Sequence, residues 1–393
     1  MPYRSPWMTP ELDSFRDAVR RFIDTEITPN QDVWKEQQHV DRSLWNKAGD
    51  MGMLLADIPE RYGGSGGNFA HQCVVFEELA SAGDSAFGIH VHAIVAQYLH
   101  NQGTPAQKEK YLSMLASGAM VAAIAMSEPG AGSDLKGIRT TAILEPDGAT
   151  YVLNGSKIFI SNGYLADLVV VVCKTDPDAG AKGISLLLLE TRECPGFRVG
   201  RILEKIGQKG QDTCELFFDD VRVPAENILG GIEGKGFVQL MTELPYERTI
   251  LGVGGVAAIE RALRLTIEHT RQRKAFGQAL IEMQNTRFIL AEIKTEATIA
   301  RTFIDRCIVD TLEGRMDAEL ASMAKYWISD LQCKVIDQCL QLFGGYGYML
   351  EYPIAQMYID ARVQKIYGGA NEVMKEIIAR YDVLTMPVNF SSF

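Results

Sequence analysis

The residue pattern changes twice along this chain of 393 residues. Helical periodicity recurs up to about residue 117, and FAHQCVVFEELASAG (69–83) and TPAQKEKYLSML (104–115) are strong examples. Between residues 120 and 224, short β-branched or apolar runs alternate with Gly, Asp, Asn and Pro turns, which is typical of strands. Long helical patterns return after residue 236. Because the strands follow one another too closely for intervening helices, a doubly wound parallel sheet is not expected.

We therefore predict an α+β chain, and its length is more than one hydrophobic core usually supports. The expected domains are an N-terminal helical domain over 1–119, a middle β-barrel or sandwich over 120–235 and a C-terminal four-helix bundle over 236–393. Thr9-Pro10-Glu11 predicts the start of the first helix: a cap, then a proline, then an acid in the first turn. The predicted C-terminal helices run over about 236–272, 283–313, 317–343, 353–366 and 371–380.

A glutamate falls on the apolar stripe of the predicted helix 236–272. Helical spacing puts Glu247 on the same face as Leu240, Leu244, Ile250, Leu251 and Gly254, so its side chain is predicted to point inward. Carboxylates are rarely fully buried unless they are paired. From these residues alone, Glu247 is either half of an internal salt bridge, with Arg248 or another partner, or a general base in a dry pocket.

Charge and hydropathy narrow the choice of partners. The net charge of −11 disfavours nucleic acid and anionic membranes, although the acidity could also serve solubility alone. No run of 18 apolar residues occurs, so no membrane span is expected. The first residues, MPYRSPWMTPELDSF, lack the features of a signal or transit peptide, and we expect a cytoplasmic protein.

Cysteine and histidine do not indicate a metal or a disulfide frame. The seven cysteines are scattered without a CxxC pair, which favours a reducing compartment and small core residues. His90 and His92 lie two residues apart with no carboxylate or cysteine at ligand spacing. We predict no metal site and interpret both histidines as helix residues.

Three glycine-rich stretches need an interpretation. Gly252 to Ala257 matches the G-x-G-x-x-A dinucleotide fingerprint, but that motif requires a preceding strand and here the context is helical, so close helix packing or the approach of a ligand is favoured. MSEPGAGSDLKG (126–137) and FGGYGY (343–348) are either ordinary turns or loops that bring backbone N–H groups close to a phosphate or a ring edge.

Five segments together resemble the acyl-CoA dehydrogenase family, and the likeness covers nearly the whole chain. It is nearest to the long-chain and isovaleryl-type subgroup. The segments stand in the family's usual order: AMSEPGAGSDLKG (125–137), KIFISNG (157–163), ELFFDDVRVPAENILG (215–230), RQRKAFGQAL (271–280), and QLFGGYGYMLEYP with YIDAR (341–353 and 358–362).

The resemblance implies an enzyme that holds FAD and oxidises an acyl-CoA thioester to the trans-2-enoyl product. Electrons would pass to an electron-transferring flavoprotein, in fatty-acid β-oxidation or branched-acyl catabolism. It also implies a homotetramer, a dimer of dimers, in which FAD crosses a subunit boundary.

The resemblance also assigns cofactor contacts. Met126 and Ser127 would meet the flavin edge, while Phe159, Ile160 and Ser161 would pack on its other side. Ser133 would approach the CoA portion and the cofactor. The residues that would reach the cofactor of a neighbouring chain are Arg273, Phe276, Gln284, Gln341, Gly344 and Gly345.

One departure from the family concerns the catalytic base. Many members carry it as glutamate in a Tyr-Glu-Gly-Thr segment, but this chain has Tyr367-Gly368-Gly369-Ala370 there. In the long-chain and isovaleryl enzymes the base lies instead on the first bundle helix, within a segment ending Glu-Arg, and Glu247-Arg248 stands at that place. The resemblance therefore makes Glu247 the expected base.

The same resemblance assigns roles to other residues of these two segments. The Gly369 N–H and a flavin ribityl hydroxyl would hold the thioester oxygen. Tyr246 and Arg248 would contact substrate, with Arg248 either orienting the thioester or holding local structure. Ala370 replaces the usual threonine, which puts one cofactor hydrogen bond in doubt, and Glu372 would serve helix-end electrostatics or contact FAD.

Two other functions stay open at this point. Flavin oxidases and monooxygenases share the scaffold, and a non-catalytic acyl-CoA-binding flavoprotein would share the ligands. Acyl chain length is not fixed by these residues: long or terpenoid-like branched chains are favoured, and isovaleryl-type substrates come second.

Overall fold

The protein is described by a computed structural model over residues 3–383. Contacts divide the chain into two compact units. The first unit comprises residues 3–23, 73–84 and 244–383, and the second comprises residues 24–72 and 85–243. The division into segments 1–119, 120–235 and 236–393 stays a prediction, because these units are assembled from stretches that are not contiguous in sequence.

Six α-helices precede the first strand in the described part of the chain. The predicted start of the first is confirmed, since the Thr9 side chain accepts a hydrogen bond from the Leu12 N–H at 3.2 Å. Thr104 and Gln107 form a capping box at the start of the sixth helix. The helices are α1 (Pro10–Phe22), α2 (Gln31–Gln37), α3 (Arg42–Asp50), α4 (Phe69–Ala82), α5 (Ile89–Gln102) and α6 (Pro105–Ala116).

The middle of the chain forms a seven-stranded sheet in the second unit. The strands are β1 (Ala122–Ala125), β2 (Thr141–Leu144), β3 (Thr150–Ser161), β4 (Leu168–Lys174), β5 (Ile184–Glu190), β6 (Phe197–Ile202) and β7 (Thr213–Pro224). Their order is β1-β4-β2-β3-β7-β6, and β5 also pairs with β4. Most neighbours are antiparallel, while β4 runs parallel to β1 and to β2. The prediction against a doubly wound sheet is confirmed.

The strand pattern predicts β1, β3, β4, β5 and β7 but misses β2 and β6. Those two are short and half exposed, so neither shows a clean apolar run. The opposite case is β4, whose residues are buried from Leu168 to Cys173, and β5, buried from Ile184 to Leu189. Residues from β1, β3, β4, β5 and β7 supply the sheet's hydrophobic core.

A bulge in β3 changes which way its side chains point. The register against β7 shifts between Lys157 and Ile160, and both of these residues are buried although they lie three apart. Strict alternation would have placed Phe159 inside with Lys157. Instead Phe159 has a φ of 63° and its side chain is 66% exposed. Bulges of this kind re-aim single side chains and occur frequently beside functional sites.

After the sheet the chain is again mainly helical. The elements are α7 (Gly236–Gln272), β8 (Lys274–Ala275), β9 (Gln278–Ala279), α8 (Gln284–Leu312), α9 (Ala318–Phe343), α10 (Pro353–Ala361) and α11 (Asn371–Ile378). In the first unit, α9 packs against α8, α10 and α11. The predicted order of helices, strands and helices is confirmed, but α10 ends five residues early and the hairpin β8–β9 was not predicted. Pro245 lies inside α7 without ending it.

The dinucleotide-like glycines lie in the interior of α7. A Cβ on Gly252 would be 2.9 Å from Ile304 Cδ1, and one on Gly255 would be 2.8 Å from Ile328 Cγ2. A side chain at either position would have to displace these isoleucine methyl groups, so glycine lets α7 approach its neighbours closely. The interpretation as helix packing is confirmed for both, while a Cβ on Gly254 would meet nothing within 4 Å.

The structure bears on the cysteines, on metal-binding groups and on membrane-spanning helices. Five cysteines are buried, Cys73, Cys173, Cys214, Cys307 and Cys339, as expected for core residues. Across residues 3–383 no group of His, Cys, Asp and Glu side chains could hold a metal ion. In the same range, no helix is long and apolar enough to cross a membrane.

Candidate functional site

The predicted base lies in the interior of the first unit. Glu247 is 6% exposed on α7, so the inward direction expected from its helical phase is confirmed. Its neighbour Arg248 is also buried, and its Nη1 donates to Ser322 Oγ on α9 at 3.1 Å. This bond links α7 to α9, which supports at least a structural role for Arg248. Tyr246 is half-buried.

The segment where many acyl-CoA dehydrogenases carry a glutamate contains two glycines with positive φ. Gly368 has a φ of 62° and Gly369 has a φ of 94°. A Cβ on Gly368 would lie 2.5 Å from Leu251 Cδ1, and one on Gly369 would lie 2.5 Å from Met374 Cε. Glycine therefore fits both positions for conformation and for space. Within residues 3–383, neither glycine's N–H donates a hydrogen bond.

A lysine that the sequence analysis overlooked supports this segment. Lys325, on α9, is 1% exposed, and its Nζ donates to the Gly369 carbonyl oxygen at 2.5 Å and to Asn371 Oδ1 at 2.9 Å. Burial, followed by the nearby charge of Arg248, lowers the pKa of Lys325 to about 8. The lysine remains mostly protonated at neutral pH.

The end of this segment carries the other two residues assigned by resemblance. Ala370 is the N-cap of α11 and provides no side-chain cap. Glu372 is exposed in the first turn of α11, which agrees with a role in helix-end electrostatics. The structure gives Glu372 no place in the interior with Glu247.

In the second unit, the loop after β1 is held by a buried ion pair. Lys157 Nζ lies 2.8 Å from Glu128 Oε1 and donates to the Met126 carbonyl at 2.9 Å. The same carboxylate accepts the N–H groups of Arg139 at 2.6 Å and Thr140 at 3.0 Å. Burial acts to raise the pKa of Glu128, but the Lys157 ammonium and these N–H groups hold it below its usual value.

The glycine-rich part of this loop is exposed. The Ser127 carbonyl accepts the Ile158 N–H at 3.0 Å, which ties the loop to the bulged part of β3. A Cβ on Gly130 or Gly132 would meet nothing within 4 Å, and Ser133 is exposed. The loop is thus anchored at its start and open along its glycine-rich part.

The three β3 residues assigned to the flavin do not share one environment. Phe159 is exposed at the bulge and Ser161 is half-buried, with its Oγ 3.4 Å from Thr213 Oγ1. The side chain of Ile160 belongs to the hydrophobic core of the sheet. Any contact of Ile160 with the flavin is therefore left to its backbone, and its assignment to the cofactor stays a prediction.

A cavity of about 610 Å³ lies in the first unit at the end of α9. It brings together four of the residues predicted to bind a cofactor, Arg273, Gln341, Gly344 and Gly345. The Arg273 guanidinium lies 5.4 Å from the centre of the Tyr346 ring, which also lines the cavity. Phe276 and Gln284 are not among its lining residues.

Phe276 occupies an unusual position for a large apolar side chain. It lies between β8 and β9 with a φ of 51°, and it is 96% exposed. Gln284 is exposed at the first position of α8. Neither side chain is covered by the described chain.

Comparison with known proteins places this chain in a family. Models of the acyl-CoA dehydrogenase N-terminal, middle and C-terminal domains match residues 9–119, 123–221 and 234–381. The chain belongs to the acyl-CoA dehydrogenase family. The resemblance noted in the sequence is thereby confirmed, and so is the family's architecture of N-terminal helices, middle sheet and C-terminal helices.

Individual relatives agree with the family models. The long-chain specific acyl-CoA dehydrogenase of Rattus norvegicus is 48% identical over 373 residues, which cover 94% of this chain and 86% of the relative. A crystal structure of an acyl-CoA dehydrogenase from Geobacillus kaustophilus matches with a TM-score of 0.94 at 45% identity, covering 98% of this chain and all of that one. An acyl-CoA dehydrogenase from Bacillus anthracis, solved with FAD, matches with a TM-score of 0.90 at 30% identity, covering 96% of this chain and 68% of that one.

Acyl-CoA dehydrogenases bind FAD, and residues in this chain fit such a cofactor. A Cβ on Gly344 or Gly345 would meet nothing within 4 Å, yet both glycines line the cavity beside Arg273. The φ of 58° explains glycine at position 344. Neither backbone conformation nor packing of the chain explains it at position 345, whereas the close approach of a ligand does. Arg273 adds a permanent positive charge suited to a pyrophosphate.

Three charged or amide residues of the site were missed by the sequence analysis. Lys157 and Lys325 were not singled out, and Asn371 was quoted only as part of a segment. A lysine inside an otherwise apolar run was the available signal, because buried lysines need specific acceptors. The acceptors themselves lie 29 to 46 residues away in sequence, so the spacing gave no hint of the pairing.

Proposed function

We propose that this chain catalyses the α,β-dehydrogenation of a saturated acyl-CoA with Glu247 as the general base. The observation that carries the proposal is the burial of Glu247 together with the replacement of the usual glutamate by Gly368. Leu251, one helical turn after Glu247, contacts the space beside Gly368. The base helix therefore borders the place that the other family members use for their carboxylate.

The proposed reaction divides between the cofactor and the chain. When bound, FAD supplies the acceptor for a hydride from the β-carbon of the substrate. Glu247 takes the α-proton, and its burial suits this task because a desolvated carboxylate is a stronger base than an exposed one.

An α-proton next to a thioester is weakly acidic, so the oxygen that gains charge must be stabilised. The unbonded N–H groups of the Gly368–Gly369 segment are the donors we propose. Their positive φ values orient consecutive N–H groups in a way that residues with side chains rarely adopt. Arg248 contributes a buried positive charge in the same region and is itself held by Ser322.

For the substrate we propose a long straight or terpenoid-like branched acyl group. Its support is the 48% identity to the long-chain specific enzyme of rat over 94% of the chain. An isovaleryl-type substrate is the second choice, since the base lies on the first bundle helix in those enzymes too. A rate series over saturated acyl-CoAs of increasing length, with branched ones included, measures this directly.

We also propose that the electrons leave to an electron-transferring flavoprotein in fatty-acid β-oxidation, and that the chain forms a homotetramer. Phe276 supports the assembly, because a phenylalanine 96% exposed at the tip of a hairpin suits a contact with something outside its own chain. Sedimentation of the holoenzyme tests the tetramer, and reduction of a purified flavoprotein acceptor tests the electron transfer.

The decisive experiment for the function uses Glu247→Gln. Adding a long-chain acyl-CoA anaerobically to the wild-type holoenzyme is expected to bleach the flavin absorbance, while the variant should keep FAD and bind the ligand without bleaching. Glu243→Gln is the matched control, because Glu243 is another buried glutamate of α7, held by the side-chain amides of Asn101 and Gln102 at 2.8 Å.

Three outcomes would contradict the proposal. Bleaching by the Glu247→Gln variant at the wild-type rate would exclude Glu247 as base. Ligand binding without bleaching in the wild type would favour a non-catalytic acyl-CoA-binding protein. Rapid reoxidation of the reduced enzyme by air would favour an oxidase.

A further inference from the structure

The strongest unassigned feature is the ammonium of Lys325 and the two groups that accept its hydrogen bonds. One is the carbonyl of Gly369, and the other is the side chain of Asn371. The Asn371 amide in turn donates to Ser329 Oγ at 2.9 Å and to Asp330 Oδ1 at 3.0 Å. A single buried ammonium therefore fixes the chain on both sides of Ala370.

Burying this charge is costly, so its presence calls for a reason. Within residues 3–383, Lys325 forms no ion pair with a carboxylate, and the nearby Arg248 cation lowers its pKa by more than either Asp330 or Glu372 raises it. A methionine would fill a similar volume without the cost of desolvating an ammonium. The benefit must therefore lie in what the two acceptors do, and both belong to the segment that follows Gly368.

That segment would otherwise be unusually free. Glycine loses more backbone entropy on ordering than any other residue, and here two glycines are adjacent. Their N–H groups donate no hydrogen bond within the described chain. The α11 helix begins only at Asn371, so helical bonds do not order the glycines.

We propose that Lys325 is a positioning residue: its ammonium, through the Gly369 carbonyl and Asn371, holds the Gly368–Gly369 backbone so that its N–H groups meet the thioester oxygen. The inference rests on the proposed function. Donors lower the barrier when they are aligned before charge develops on the oxygen, which is what such a fixed link provides.

The test compares four variants as holoenzymes with the wild type. Lys325→Met removes the ammonium at similar volume, and Lys325→Arg keeps a positive charge. Asn371→Ala weakens the same link while leaving Lys325 in place. Lys334→Met is the matched control, because Lys334 lies on the same helix and pairs at the surface with Glu296.

Two readouts separate positioning from a structural role. The first is the C=O stretching frequency of a bound trans-2-enoyl-CoA carrying ¹³C at its carbonyl, since hydrogen bonds to this oxygen lower the frequency. The second is kcat and KM measured with the saturated substrate. FAD content and the thermal midpoint report on folding.

For Lys325→Met we expect the bound carbonyl frequency to return toward its value in free ligand. We expect kcat to fall about 10- to 100-fold, with KM changed less than about threefold, since a lost oxyanion donor costs on the order of 100-fold or more. FAD content should remain at the wild-type level. Lys325→Arg should recover at least half of the frequency shift, and Lys334→Met should match the wild type.

Asn371→Ala is expected to move the frequency in the same direction by a smaller amount, and it decides the question if Lys325→Met does not fold. An unchanged carbonyl frequency in a folded Lys325→Met or Asn371→Ala variant overturns the inference, whatever happens to kcat. A wild-type protein that binds the labelled product but is never reduced by acyl-CoA contradicts the proposed function instead. In that case the carbonyl stretching frequency alone decides whether Lys325 positions the Gly368–Gly369 backbone.

Discussion

Leu251 Cδ1 lies 2.5 Å from the point where a Cβ on Gly368 would be. A side chain at this position, from which many family members extend their catalytic glutamate, would have to displace that methyl group. The positive φ of Gly368 adds a second obstacle for any side chain. Leu251, on the helix that carries Glu247, thus partly fills the space beside Gly368.

Returning a glutamate to position 368 is therefore expected to fail. Gly368→Glu should lower the free energy of unfolding by about 2 to 4 kcal/mol, from a strained backbone and an overpacked contact. In the Glu247→Gln background it should not restore turnover. Adding Leu251→Ala should remove the close contact and recover part of the lost free energy of unfolding. The part lost because a side chain strains the backbone at a positive φ should not be recovered. Chemical denaturation and anaerobic flavin reduction measure the two effects, and rescued turnover would contradict the assignment of the base.

The pair of Lys157 and Glu128 predicts a coupled effect on the loop after β1. Lys157→Met leaves the Glu128 carboxylate buried without its cation, which should cost about 3 to 5 kcal/mol of stability. It should also weaken FAD binding, because the Met126 carbonyl loses its donor. The double variant with Glu128→Gln should recover a large share of the stability. A double variant whose loss of stability equals the sum of the losses of the two single variants in a denaturation series would show that the pair is not coupled.

Because the space beside Gly345 is open, a side chain added there should lower FAD affinity without lowering the stability of the protein. Gly345→Val adds a side chain whose Cβ meets no atom of the chain within 4 Å. Stability of the protein stripped of FAD should change by less than about 0.5 kcal/mol, as for surface sites generally. FAD affinity should fall at least about tenfold, which corresponds to about 1.4 kcal/mol. Glu351→Val, at a nearby exposed position, is the control and should retain FAD.

His92 predicts how stability depends on pH. It is fully buried, its Nε2 donates to the Leu115 carbonyl at 3.0 Å, and its Nδ1 accepts the Ala122 N–H at 3.2 Å. Burial lowers its pKa to about 4 from the ordinary 6.5. In the unfolded chain the imidazole gains a proton near pH 6.5 that the folded state excludes. The contribution of neutral His92 to the free energy of unfolding is therefore complete above pH 6.5 and is lost as the pH falls toward 4.

Between pH 7 and pH 5 this loss should amount to about 2 kcal/mol. His92→Gln keeps a donor and an acceptor without the titration, so its unfolding free energy should vary less over the same interval. Parallel curves for the wild type and this variant would show that His92 does not titrate as described.

Local pattern was enough for much of the fold. Periodicity located α7, α8 and α9, and the Thr-Pro pairs located the starts of α1 and α6, because these signals act over a few residues. Local pattern did not predict β2, β6 or the hairpin β8–β9. Those elements are short and half exposed, and they are stabilised by pairing partners rather than by their own pattern.

At the candidate site, too, local pattern predicts some side chains and not others. The inward phase of Glu247 follows from helical spacing, and its burial confirms it. The exposure of Phe159 could not be inferred, because a bulge in β3 breaks the alternation from which side-chain direction is read. The roles of Phe276, Gln284 and Glu372, the tetramer and the cytoplasmic location remain predictions.

The sequence by itself determined the family, the order of helices and strands, and the inward phase of Glu247 on its helix, because motifs and periodicity are properties of neighbouring residues. Only the tertiary structure decided that Lys325 meets Gly369, that Lys157 meets Glu128 and that Leu251 fills the space beside Gly368. Each of these contacts joins residues 29 or more positions apart, and such a contact depends on how elements pack rather than on the pattern within any one of them.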